Sequence, residues 1–297
     1  MGGVLRCSAL TLLLLVSASA AHAGAGTADL LIIPSPGFAG QMRFGCAGAA
    51  LADGPAAIDG NPAAISPGFA ASGGRWNLGT TGVAASGTFR IADHLLAGLG
   101  ARYLGRSGLV ERDETGAVTG EYSFSSGIAS IGASRGFGGG FSAGASVGIV
   151  WEDVGEMGAT GFTTSAGVRL APSDRLEMGA VVRGLGSSPS WNGIHKDMPT
   201  EVSAGARYRF GELFSLFGGA RYGFDTPDAF CLGLELTGAG FSLSGGWEES
   251  PGEDEVTGLF GGLGYTYVTG EVYRIEMAVS QRDRLDWPVV AGLSVLF

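Results

Sequence analysis

Through most of its length the chain changes character at every second residue, and that beat constrains the fold more than any other feature. Over 141–151 the odd positions are Phe141, Ala143, Ala145, Val147, Ile149 and Trp151, while the even ones are Ser142, Gly144, Ser146, Gly148 and Val150. Successive side chains of a strand point to opposite faces, so a period of two describes strands with two environments. The beat returns where Val202, Ala204, Ala206, Tyr208 and Phe210 oppose Ser203, Gly205, Arg207 and Arg209. It returns again with Phe230, Leu232, Leu234 and Leu236, and closes the chain with Trp287, Val289, Ala291, Leu293, Val295 and Phe297.

A soluble sandwich alternates in the same way, and three features separate the two. The segments run to about 10–12 residues, which matches the ~9–11 that cross a bilayer at a tilt and exceeds the ~5–6 of soluble strands. Aromatic residues such as Tyr103, Tyr122, Trp151, Tyr208, Trp247, Tyr265 and Trp287 sit near segment ends, as interfacial girdles require. Connections also alternate between tight links, such as Ala92-Asp93-His94 and Gly238-Ala239-Gly240, and roomier polar ones at 107–120, 155–161, 187–199, 225–228 and 250–255. Thirteen strands can be placed from 82 to 297, and 74–81 supplies a fourteenth, which restores the even number such barrels need. The fold class is therefore all-β, a transmembrane antiparallel barrel of about fourteen strands over 73–297.

Composition narrows the partners. Fifty-five glycines show no Gly-X-Y period, only 15% of residues are charged, and the formal charge is −10 with Lys196 as the single lysine. Collagen, disorder and a phosphate-binding surface are excluded, so nucleic acid is not a partner. Residues 1–23 read as a signal peptide: Arg6, an apolar run over 9–16, and a small-x-small site at Ala21-His22-Ala23. An exported mature chain starting at Gly24 retains Cys46 and Cys231, and whether they bridge is open at this level. No cofactor or metal is expected.

A spanning sheet must close on itself, because lipid offers no partner to an unpaired amide. The face opposite the oily one then lines a lumen. It carries Arg102, Arg169, Glu177, Arg183, Arg207, Arg209, Arg221, Glu235, Glu248, Arg274 and Glu276. A cation facing lipid at midplane costs ~2–4 kcal/mol, so these residues look inward, either as a structural ladder of ion pairs or as an electrostatic lining that selects a solute. Before the barrel, 27–66 lacks the beat. Its small residues and Asn61, a cap ahead of Pro62 at the first helical position, predict a short helical hatch within 24–72, seated at the periplasmic mouth.

Two smaller readings point elsewhere. His195, with Ser188, Ser190, Asn192 and Asp197 in one loop, is the arrangement a hydrolase would need, but such polar loops are ordinarily solvated and the chain is not read as an enzyme; His94 lies in a predicted turn at the opposite end. Glu248, Glu249, Glu253, Asp254 and Glu255 lack the spacing of a calcium loop and read as a solvated external loop, bridged to lipopolysaccharide by divalent ions.

The run 30–66, with its Leu-Ile-Pro lead, Gly-Ala-rich segment and Asn-Pro-Ala motif, resembles the PorV/PorQ branch of the FadL-like outer-membrane barrels, as do 95–113 and the stretch ending Arg183-Gly184-Leu185-Gly186. The resemblance implies a fourteen-stranded barrel with an N-terminal hatch whose motif is Asn61, Pro62 and Ala63, approached through Gly45, Gly48 and Asp53. It also implies one of two roles: passage of small hydrophobic molecules through a bent barrel wall, or docking of secreted proteins in type IX secretion. The short loops favour passage, with the hatch controlling it. Terminal Phe297, ending an alternating strand, resembles the signal read by the barrel-assembly machinery of the outer membrane.

Overall fold

The computed structural model describes residues 30, 32–76, 79–187, 190–191, 194–195, 197–224, 227–251, 256–281 and 287–297. The expected leader at 1–23 lies outside them, as do Ser188, Asn192, Glu253, Asp254 and Glu255; the side chains of Ser190 and His195 are likewise not described.

The chain forms a closed antiparallel barrel of fourteen strands. The first seven are β1 (Gly68–Arg75), β2 (Thr81–Ala92), β3 (Leu95–Arg112), β4 (Val118–Gly138), β5 (Phe141–Val154), β6 (Met157–Ser173) and β7 (Leu176–Gly186). A two-stranded ribbon, β8 (Ser190–Trp191) with β9 (Ile194–His195), interrupts the next connection. The remaining seven are β10 (Glu201–Arg209), β11 (Phe214–Gly223), β12 (Ala229–Gly238), β13 (Phe241–Ser250), β14 (Val256–Val268), β15 (Val272–Ser280) and β16 (Val289–Leu296). Each strand pairs with its sequence neighbour, β10 joins β7 across the ribbon, and β1 closes on β16 with Gly68 opposite Leu296. Closure leaves the fourteen wall strands without an edge, and the even count puts both barrel ends at one rim.

The alternation read from sequence sets the two faces. Phe69, Val83, Leu99, Ile131, Ile149, Leu232, Leu243, Leu263, Ile275 and Leu293 are all exposed on the outside, a surface that water would penalise and hydrocarbon accepts. Aromatic pairs ring the tight-turn rim, among them Tyr208 with Phe210, Phe241 with Tyr265, and Phe69 with Phe297.

One strand and two connections differ from the sequence expectation. The first strand is Gly68–Arg75 instead of 74–81, because Gly68 to Arg75 pair with both β16 and β2. The link between β5 and β6 is a two-residue turn at Gly155-Glu156, not a roomy loop over 155–161; its polar residues are already in strand. The loop expected at 107–120 shrinks to 113–117, because β3 and β4 continue pairing to Arg112 and Val118 as an exposed polar hairpin that rises beyond the apolar belt. Polarity at those positions reflects solvent around the strands, not an absence of strand.

Candidate functional site

The lumen is filled by 30–67, folded as two single-turn α-helices (Ala39–Met42 and Gly48–Leu51) and three 3₁₀ turns (Gly45–Ala47, Pro55–Asp59 and Pro62–Ala64). Such short helices are marginal alone, so wall contacts hold them. The approach is close because the wall offers inward glycines. A Cβ at Gly144 would meet the Pro62 carbonyl carbon at 2.5 Å, one at Gly179 the Ala50 oxygen at 2.2 Å, and one at Gly219 the Ala47 Cβ at 2.6 Å. Gly179 pairs with Gly205 and Gly205 with Gly219, so three adjacent strands present bare backbone at one height. That height is halfway along β10, where Gly205 faces Ala47 and Leu51. The hatch is thus not at the mouth, as its position before the barrel suggested. A vestibule of about 660 Å³ separates it from the tight-turn rim.

The hatch motif residues divide by role. Asn61, fully buried, accepts from the Ala63 N–H at 3.1 Å and donates to Ala50 O at 3.3 Å and to Val168 O at 3.0 Å, so it caps one turn and stitches the hatch to β6. Pro62 opens the 3₁₀ turn, and the Ala63 carbonyl accepts the Ser142 hydroxyl at 2.7 Å. Gly48 packs so tightly that an added Cβ would lie 1.8 Å from Gln41 O. Gly45, at φ 57°, lies against Phe260.

Asp53 pairs with Arg274 at 2.9 Å. Burial would raise the Asp53 carboxyl, but the guanidiniums of Arg274, Arg207 and Arg169 outweigh it and hold the group below the usual carboxylate range.

The inward charges named from sequence are joined by partners that were not. Arg43, from the hatch, pairs with Glu235 and, at 2.9 Å, with Glu276. Arg207 bridges Glu177 at 2.5 Å and Glu235 at 3.3 Å, and Arg169 meets Glu177 at 2.8 Å. Arg102 meets Asp59 of the hatch at 2.8 Å, and Arg183 pairs with Glu201 while donating to the Asp59 carbonyl at 3.3 Å. Arg221 and Glu248 lie 3.6 Å apart. Arg209 stands aside: it is exposed at the rim and donates to Asp174 O at 3.0 Å. Of these added partners, Arg43 and Glu201 carry a signal in the sequence and Asp59 carries none. Arg43 is the one cation between Leu30 and Gly74, and Glu201 shares strand parity with Ser203 and Arg207.

On the loop side of the charged layer the lumen turns apolar. Leu30, Ile32 and Ile33 are buried against Leu104, Ile128, Val150 and Met198, with Trp76 alongside. Ile128 and Val150 are register partners on β4 and β5, so the pocket wall is continuous. Beside it the sheet is irregular: β6 passes from Thr164 to Ala166 while β7 passes from Leu185 to Val182, leaving Arg183 and Gly184 as a bulge. Gly184 has φ 76°, and a Cβ there would lie 2.2 Å from Pro199 O, so the bulge needs glycine. Thr200 ties it to the Met198 loop by donating to Gly184 O at 2.9 Å. Of the histidines weighed for hydrolysis, His94 is an exposed turn residue at the tight-turn end.

Comparison with known proteins finds no matching family model and no matching curated sequence. Solved structures do match. The chain superposes on the CymD monoaromatic hydrocarbon channel with a TM-score of 0.64 at 14% identity, covering 89% of this chain and 98% of that one. For a Pseudomonas aeruginosa FadL homologue the TM-score is 0.62 at 14% identity, over 92% and 99%. For the toluene transporter TodX of Pseudomonas putida it is 0.61 at 13% identity, over 86% and 99%. The fold is therefore that of the FadL-like barrels.

Proposed function

We propose that this protein is an outer-membrane channel for small apolar solutes, closed by its hatch and entered from the loop side. The observation that carries the proposal is the placement of the apolar pocket inside the lumen, occupied by the chain's own Leu30, Ile32 and Ile33 above a layer of paired charges. Among the described residues, those packed there are apolar and offer a polar solute no partner. An apolar one meets a site already fitted to aliphatic side chains, each worth ~1.5–3 kcal/mol when buried. Replacing those side chains with a solute of similar apolar area is close to isoenergetic, so binding can release the 30–33 segment without breaking the charged layer beneath it. The bulge at Arg183-Gly184 lies beside the pocket and is the wall irregularity through which a solute would leave toward the lipid. The exposed apolar belt and the likeness in fold to the CymD channel and the toluene transporter TodX support this reading and a location in the outer membrane among lipid and lipopolysaccharide.

Uptake of labelled toluene and long-chain fatty acid by a deletion strain tests it. Uptake should fall on deletion and return with the wild-type chain, but not with Ile128→Asp. The PorV/PorQ-like features of 30–66 provide the rival outcome: unchanged uptake together with failed surface display of secreted proteins assigns the barrel to docking.

A further inference from the structure

The charged layer and the apolar pocket make no use of the two thiols, which nevertheless meet. Cys46 sits in the 3₁₀ turn Gly45–Ala47 of the hatch, and Cys231 points inward from β12. Their Sγ atoms are 2.8 Å apart, although the residues are separated by 185 positions. Both are buried in an apolar shell of Phe44, Ala47, Leu51, Phe217, Ala229 and Phe260. The Ala47 N–H donates to the Cys231 sulfur at 3.3 Å, and the Cys46 thiol reaches Gly219 O at 3.4 Å, so both side chains are held facing each other. Among the described residues no group of three His, Cys, Asp or Glu side chains is placed to hold a metal. A two-thiol contact without a third ligand suits a covalent bond better than a cation.

We propose that Cys46 and Cys231 form a disulfide that ties the hatch to the barrel wall. Two S–H bonds break, one S–S bond forms, and two protons and two electrons leave. The electrons reduce the disulfide of an exported thiol–disulfide oxidoreductase to its dithiol, through a mixed disulfide with one of the two cysteines. A small movement of the side chains brings the sulfurs to the ~2.0 Å of the bond. Both sulfurs are buried between hatch and wall in the closed barrel, so exchange occurs while the hatch is still exposed during assembly. Once closed, the bond is shielded from external reductant. The link pins the hatch at Cys46 and places no covalent restraint on Leu30, Ile32 and Ile33. The proposal rests on the export and barrel reading above.

The test is mass spectrometry of wild-type protein recovered from the outer-membrane fraction, denatured with N-ethylmaleimide and no reductant. The expected result is no alkylation at either cysteine, an intact mass two hydrogens below the dithiol, and one peptide pair joining Cys46 to Cys231 that separates on reduction. In Cys46→Ser, Cys231 should become alkylated. Folded wild-type protein should also keep the bond in reductant that removes it after unfolding. Complete alkylation of both cysteines without reductant in outer-membrane material overturns the bond and leaves the barrel reading standing. Absence of the chain from that fraction overturns the premise of both.

Discussion

At the residue scale, the inward charges hold the hatch less by adding stability than by making its departure costly. A buried pair gives little net gain over apolar packing, whereas removing one partner leaves an uncompensated charge at a cost of ~3–5 kcal/mol. Arg43 shows the point, since it faces both Glu235 and Glu276. Arg43→Met is expected to destabilise hatch docking by about that amount, read as faster proteolysis of the hatch in detergent, and Arg43→Met with Glu276→Gln should recover part of it. Asp53 gives a pH dependence. Because its folded-state pKa is depressed, its contribution is present above the unfolded value near ~4 and is lost as pH falls through the lower folded value. Protease resistance of the hatch should therefore persist at mildly acidic pH and decline below that range, and Asp53→Asn should flatten the decline. A decline of equal size in both proteins would assign it to other carboxylates.

At the element scale, the closing strand carries the most consequence. β16 pairs with β15 on one side and β1 on the other, and it is continued by Phe297, whose N–H donates to Pro67 O at 3.3 Å and whose ring lies 5.7 Å from that of Phe69. These contacts are exposed and peripheral, so they add little to the finished barrel. If Phe297 acts when the strand is recruited, as its resemblance to an assembly signal proposes, deleting it should lower the amount of assembled protein without altering what assembles. Heat-modifiable mobility on a gel measures both quantities, and equal band intensity with and without Phe297 would remove the role.

At the scale of the whole molecule, the wall and the hatch are separable solutions to one problem. The wall satisfies its backbone by closure and its outer face by lipid, neither of which needs the hatch. Removing 30–66 should leave an intact barrel with a water-filled lumen in which Arg102, having lost Asp59, is solvated while Arg183 keeps Glu201 of the wall. Planar-bilayer recordings should show steady conductance for that deletion and none for the full chain. A collapsed or non-conducting deletion would mean that the hatch is part of the barrel's core.

Much of this was legible in the residues, and the division follows the range of the interactions. Strand identity and the inside and outside of the wall follow from the alternation of neighbours such as Phe230 and Cys231, because lipid and lumen impose opposite demands at each step; the even count came from the need to close the sheet, not from the alternation itself. Asn61 as a cap was readable for the same reason: its partner is two residues away. Residue 68 as the start of the wall was not, because Gly68-Phe69-Ala70-Ala71 becomes strand through pairing with β16, more than two hundred positions on. The partners of Arg43, the meeting of Cys46 with Cys231, the depth of the hatch and the apolar pocket around Ile32 arise only when the barrel closes, since each joins residues whose separation no local pattern records.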